Sequence, residues 1–164
     1  MKEIKLTKGK VALVDDEDFE RLSQYKWYAI LSCSKWYAMR AFTVAGKQKR
    51  IFMHREIMNA LPGVIIDHKF GDGLDNRKEN LRPCTPQQNG CNTHRIGKNK
   101  LGVRGVIWNS CVKKFQATIG FNNKTVYLGY FTVLADADQA YRVAEIKYFG
   151  EFAREETKRL YQAL

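Results

Sequence analysis

The chain is poor in proline, with three among 164 residues, and has no low-complexity run, which excludes a disordered or linker-dominated protein. It lacks any apolar stretch near the ~20 residues that a membrane-spanning helix needs. Its four cysteines (Cys33, Cys84, Cys91 and Cys111) form no C-x-x-C pair, so a disulfide framework is not indicated. Cys84 and Cys91 with His94 lack the close pairing of zinc knots, and the thiols read as buried or idle. The start, Met1-Lys2-Glu3-Ile4, does not have the pattern of a signal peptide. A soluble, cytoplasmic protein with no membrane partner is therefore expected. Acid is missing from one long region. Between Asn80 and Ala135 there are eight Lys/Arg and no Asp or Glu, while eleven of the seventeen acids fall in residues 1–79.

What is present is positive charge, +11 overall, together with 45% hydrophobic and 12% aromatic residues, enough for packed cores. A basic, asymmetric chain points to a polyanion. No basic amphipathic helix is visible, so nucleic acid is expected rather than an anionic membrane. Nothing suggests a small-molecule substrate.

The pattern predicts an α+β protein. Residues 1–53 read as β-rich: a strand at Val11 to Val14, a helix opened by Asp15-Asp16-Glu17-Asp18 and running to Tyr25, then two aromatic-rich runs. These runs, Lys26 to Leu31 and Lys35 to Thr43, form a hairpin across Ser32-Cys33-Ser34, and Arg50 to Met53 follows a turn at Gly46. A short helix over His54 to Ala60 ends at Pro62-Gly63. Val64 to Ile66 is a strand, Gly71 to Asn76 a loop, and Leu81 to Cys84 the returning strand. Thr85-Pro86-Gln87-Gln88 starts a helix that carries Asn89. Residues 96–101 read as a linker. Then come three antiparallel strands: Val106 to Asn109, a strand around Gln116 to Gly120, and one around Thr125 to Leu128 across the turn Asn122-Asn123. A helix from about Val133 to Phe149, capped by Thr132, presents Ala137, Ala140, Tyr141, Ala144 and Tyr148 to that sheet. Residues 154–164 form a helical tail.

One constellation carries chemistry. Asp67-His68 is followed by Asn80 at thirteen residues from Asp67 and Asn89 at twenty-two. Phosphodiester cleavage needs a base for water, a cation for developing charge and donors that hold phosphate. His68 suits the base because imidazole titrates near neutrality. Asp67 and Asn89 offer hard oxygens suited to Mg²⁺. Asn80 is expected to orient the imidazole or tie down the loop, and Arg77, Arg82 and Arg95 to contact phosphate.

Met53-His54-Arg55, Ile66-Asp67-His68, Leu74-Asp75-Asn76-Arg77-Lys78-Glu79-Asn80-Leu81-Arg82 and Thr85-Pro86-Gln87-Gln88-Asn89 resemble the HNH endonucleases, in particular phage and intron-borne homing enzymes. The resemblance implies a ββα-metal core at about residues 64–95 within a nuclease domain at 1–95, using one divalent ion. By motif, Asp67 and Asn89 would ligate the metal, His68 would activate water and Asn80 would support it. Asp as first letter and Asn as last favour Mg²⁺ or Mn²⁺ over zinc. His54 recurs in that branch, where packing is the expected role.

Residues 102–153 resemble the plant APETALA/ethylene-response DNA-binding domain. The matching stretches are Gly102-Val103-Arg104-Gly105-Val106, Lys114-Phe115-Gln116-Ala117, Tyr127-Leu128-Gly129-Tyr130-Phe131, Ala140-Tyr141 and Lys147-Tyr148-Phe149-Gly150-Glu151-Phe152-Ala153. That family lays its sheet in the major groove. This would aim Arg104, Ile107, Thr118, Gly120, Thr125 and Tyr127 at double-stranded DNA. Trp108, Lys113 and Lys114 are added from exposure and charge. The leading expectation is a metal-dependent DNA endonuclease or nickase; one site per chain makes a homodimer one route to a double-strand break. The rivals are a DNA-binding regulator with an inactive HNH motif and, more remotely, an RNA binder.

Overall fold

The computed structural model describes residues 1–91 and 100–162. The chain divides into two compact units, Met1–Thr85 and Pro86–Leu164. It is a mixed fold of small antiparallel sheets and helices, compatible with the α+β class.

In the first unit, β1 (Lys2–Lys5) pairs with β2 (Val11–Val14) across a 3-10 turn at Thr7–Gly9. Helix α1 (Asp16–Ser23) follows, its first turn carrying Asp16, Glu17 and Asp18 where the helix dipole favours acids. Next is a meander of β3 (Tyr28–Ser32), β4 (Lys35–Val44) and β5 (Lys47–Phe52). Its first turn places Cys33 and Ser34 at φ 49° and 66°, the paired positive values of a tight hairpin that follows strand twist. Helix α2 (Met53–Ile57) leads to a hairpin of β6 (Ile65–His68) and β7 (Leu81–Cys84), with Asp67 opposite Arg82 and His68 opposite Leu81. One core joins these pieces: Ile4, Ala12, Val14, Leu22, Trp27, Ala38, Met53, Ile57, Ile66 and Leu81 all contribute to it.

The second unit begins with α3 (Pro86–Cys91). Then β8 (Val106–Asn109), β9 (Lys114–Phe121) and β10 (Lys124–Phe131) make a three-stranded antiparallel sheet with β9 in the centre. Asn122 and Asn123 turn the β9–β10 hairpin at φ 50° and 57°. Val106, Ala117 and Ile119 face α4 (Leu134–Phe149), which buries Ala137, Tyr141 and Ala144. Gly105 is required here, because a Cβ would lie 2.1 Å from the Tyr141 ring. The chain continues through a 3-10 turn at Gly150–Phe152 into α5 (Glu155–Gln162).

Two expectations change. Thr132 does not cap α4: the cap position is Val133, without a side-chain hydrogen bond, because the helix starts at Leu134 and leaves Thr132 one residue too early. The buried side of α4 is also less apolar than its alanines imply. Glu145 is 1% exposed and accepts from Arg154 (2.9 and 3.0 Å) and from the Thr157 hydroxyl (2.7 Å), which ties α5 to α4. The linker expected at 96–101 lies mostly outside the described residues.

Candidate functional site

The loop between β6 and β7 is held from within. Asn80 is fully buried; its Oδ1 accepts from the Phe70 amide at 2.7 Å, and its Nδ2 donates to the Asp75 carbonyl at 2.7 Å. The Asn80 carbonyl also accepts from the Lys69 amide at 2.7 Å. Strand β2 clamps the far side of the loop, with Leu13 donating to Leu74 and accepting from Asn76 at 2.9 and 2.8 Å. Of the two roles expected of it, Asn80 performs the second, tying the loop.

Asn76, which the sequence did not single out, performs the first. It is fully buried, and its Oδ1 lies 3.5 Å from His68 Nε2. Because Asn76 Nδ2 donates to the Leu74 carbonyl at 3.0 Å, the oxygen is the atom turned toward the imidazole. That orientation favours a proton on Nε2 and a lone pair on Nδ1 of His68. A side chain-to-carbonyl bond two residues back in a turn leaves no periodic signal, so only the fold reveals it.

Asp67 and His68 are both 6% exposed. They are the last two residues of β6, and the Asp67 carboxylate is close enough to act on the His68 imidazole. Arg82, directly across from Asp67, places Nε and Nη2 at 3.1 and 2.9 Å from Asp67 Oδ2. His68 instead packs its ring against Tyr37 (5.8 Å between centroids) and His54 (4.9 Å). Burial pushes the His68 imidazole below its ordinary titration range, while the Asn76 contact and the Asp67 and Asp72 carboxylates oppose the shift.

The Met53-His54-Arg55 stretch divides its labour. Met53 is fully buried in the core. Arg55 donates to the Leu61 carbonyl at 2.9 Å and to the Val64 carbonyl, shaping the turn into β6. His54 stacks on Phe52 and meets His68 edge to face. Arg40 on β4 grips Glu56 at 2.7 and 2.9 Å, anchoring α2 and with it His54. Burial, then repulsion by His68 when it is protonated and by Arg55, push His54 down to about 3, so it is neutral in the folded protein at physiological pH.

The arginines expected at phosphate have carboxylates of their own. Arg77 binds Asp75 through two nitrogens at 2.8 and 2.7 Å, which lowers the Asp75 carboxyl and raises the guanidinium. Arg82 holds Asp67 as above, and Arg95 lies outside the described residues. Asn89 is carried by α3 of the second unit. Among the described residues no group of three or more His, Cys, Asp or Glu is arranged to hold a metal ion. The Asp67 carboxylate offers a hard oxygen, a donor type that suits Mg²⁺ and not a closed zinc site.

On the sheet, cross-strand register sets Ile107, Gln116 and Tyr130 in one row, Thr118 with Tyr127 in the next and Gly120 with Thr125 beyond. Tyr127 is half exposed, and Lys113, Lys114 and Thr125 are exposed. Trp108, expected on this face, instead pairs with Phe115 and meets its ring edge to face at 4.9 Å in the row that faces α4, because strand alternation sets it opposite to Ile107. Arg104 is turned to the unit's own backbone, donating to the Cys91 and Gly90 carbonyls at 2.7 and 2.8 Å, where it closes the end of α3. Three polar residues missed from sequence stand together: Asn109 Nδ2 donates to Gln116 Oε1 at 3.1 Å and lies 3.3 Å from the Tyr130 hydroxyl. A register break between Tyr127 and Gly129 brings Tyr130 onto this face, which strict alternation does not foresee.

Among the described residues, no helix is long and apolar enough to cross a membrane. No family model matches the chain, and no solved structure matches it. Over 152 residues, 89% of this chain and 74% of the relative, the sequence is 29% identical to an Acanthamoeba polyphaga mimivirus protein named as an uncharacterized HNH endonuclease.

Proposed function

We propose that this protein is a DNA endonuclease of HNH type, of the homing kind, that hydrolyses a phosphodiester with one divalent ion, Mg²⁺ or Mn²⁺. The similarity to a protein named an HNH endonuclease supports the nuclease class and, with it, a DNA substrate. The observation that carries the reading is the loop tied by Asn80, which fixes His68 at the end of β6 with Asn76 Oδ1 facing its Nε2. A neutral imidazole held in place can take a proton from water. Burial disfavours the protonated form of His68, and the Asp67 and Asp72 carboxylates oppose that effect.

Asp67 and Asn89 are the proposed metal ligands, and Arg82 orients the Asp67 carboxylate. When bound, the ion would neutralise charge developing on the phosphate and leaving oxygen. The outer face of the β8–β10 sheet is the proposed duplex-binding surface, with Lys114, Thr118, Thr125 and Tyr127 in contact, Lys113 in the β8–β9 turn beside it, and Gln116 and Tyr130 added to them. Lys113 and Lys114 are better phosphate contacts than Arg77 or Arg104, whose guanidiniums are engaged with their own unit. The charge of +11 and the acid-free region support this assignment.

Purified protein is expected to nick supercoiled plasmid with Mg²⁺. EDTA or His68→Ala is expected to stop nicking while a gel-shift assay still registers binding. Full activity in a clean His68→Ala preparation would remove His68 as base. Binding without cutting in any divalent ion would leave the regulator with an inactive motif as the function.

A further inference from the structure

His54 is not explained by packing alone. It is 8% exposed, and its Nδ1 is buried with no hydrogen bond among the described residues. Folded proteins pair nearly all buried polar atoms, so an orphan nitrogen beside a reactive group indicates a partner that arrives later. The surroundings select for a ring: Phe52 stacks on it at 5.3 Å, with Tyr37 at 6.0 Å and His68 at 4.9 Å. A phenylalanine would meet the same neighbours without burying an unpaired nitrogen. The imidazole is retained where a purely structural role would favour the hydrocarbon.

We propose that His54 is a second imidazole of the catalytic pocket, a positioning residue whose Nδ1 hydrogen-bonds an oxygen present only in the loaded site. This rests on the nuclease reading above. The oxygen is either that of the attacking water or a non-bridging oxygen of the scissile phosphate. Phosphate at neutral pH has no proton to give, so that contact requires Nδ1–H, whereas water can meet either tautomer. The groups around the two rings are Asp67, Asp72 and Lys35 toward His68, Arg55 toward His54, and Tyr37 touching both. Of these, the other imidazole is the nearest ring to His54 that can take up a proton, at 4.9 Å. Neutrality suits this role, because a charged His54 would oppose the proton that His68 must accept and would compete with the ion for the phosphate.

The test combines kinetics with a readout that needs no cutting. His54→Phe keeps the ring stack and removes both nitrogens, while His54→Asn returns a polar atom close to Nδ1. The expected result is a fall in kcat on the order of 10–100-fold for His54→Phe, with KM and Tm near wild type and partial recovery in His54→Asn. In parallel, ¹⁵N NMR of His54 follows Nδ1 in the intact protein, first with Ca²⁺ alone and then with Ca²⁺ and duplex. A change with Ca²⁺ alone identifies water as the partner; a change only with duplex identifies phosphate. An unmoved Nδ1 signal in both arms overturns the proposal, as does a His54→Phe enzyme with unchanged kcat. If wild type binds duplex and never cuts, the nuclease reading fails separately, and an unmoved Nδ1 in the duplex arm then rejects the role for His54 as well.

Discussion

The two units place their polar groups in opposite ways. The first buries the groups proposed to carry chemistry: Asp67, His68, Asn76, Asn80 and His54 are each less than a tenth exposed. The second leaves its candidate contact residues on the outer face of a sheet and buries a polar cluster, Glu145 with Arg154 and Thr157, far along the chain from that face. Burial sharpens electrostatics and fixes geometry, which suits a group that must be aimed before substrate arrives. Exposure suits contacts that form and break with a hydrated polyanion, where long-range charge matters more than exact placement. The same kind of residue is thus proposed to serve catalysis in one unit and recognition on the surface of the other, and it holds two helices together inside the second.

Substitutions can break this contrast. The largest effect is expected from His68→Ala, a loss of about 10²–10⁴-fold in nicking if His68 is the base, with duplex affinity retained. Its failure would make the first unit a scaffold. Next is Glu145→Ala, which leaves the Arg154 guanidinium buried without its carboxylate. A cost of about 3–5 kcal/mol is expected in chemical denaturation, confined to the transition of the second unit. A loss of the same size in DNA binding without loss of stability would instead make the cluster part of recognition.

A smaller effect separates the units by pH. The folded value of His54 near 3 lies below the unfolded value of about 6.5. Above pH ~6.5 neither state is protonated and the stability contribution is fully present. As pH falls from there toward 3, only the unfolded chain takes the proton, and stability drops by about 1.4 kcal/mol per pH unit. Urea midpoints at pH 7 and pH 5 measure this, and His54→Phe is expected to flatten the difference in the first unit alone. The smallest effect belongs to the exposed lysines. Lys113→Ala and Lys114→Ala are each expected to reduce the salt slope of duplex binding by about 1, with no change in nicking once DNA is saturating. A slope unchanged in both would move the interface off this sheet.

Much of the architecture was legible because its signals are local. The acids of α1, the Ser32-Cys33-Ser34 and Asn122-Asn123 turns and the alternation along β9 each follow from short-range preferences, and the structure carries them. Strand β1 was not legible: Lys2-Glu3-Ile4-Lys5 offers one apolar residue, and its pairing with β2 is what makes it a strand. That Asp67, His68 and Asn80 belong to one hairpin was legible from the strand–loop–strand pattern. Site composition was not legible for Asn76, whose role depends on a turn that aims its amide, nor for Tyr130, which a register break turns outward. Charge was read correctly in sum and less well in place. Arg77, Arg82 and Arg104 count as free cations in a sequence, and all three have partners within their own unit.

The sequence by itself determined the secondary elements with strong periodicity, the basic character of the middle of the chain and the spacing of the Asp67, His68 and Asn80 group. These depend on residue type and on separations along the chain, which are written in order. Only the tertiary structure decided which polar groups are buried and what each one faces: Asn76 toward His68, Arg82 toward Asp67, and the two imidazoles in contact. Those pairings join residues eight, fifteen and fourteen positions apart through the packing of β4, α2, β6 and β7. No local preference encodes such a meeting, because it is fixed by how one core closes over all four elements at once.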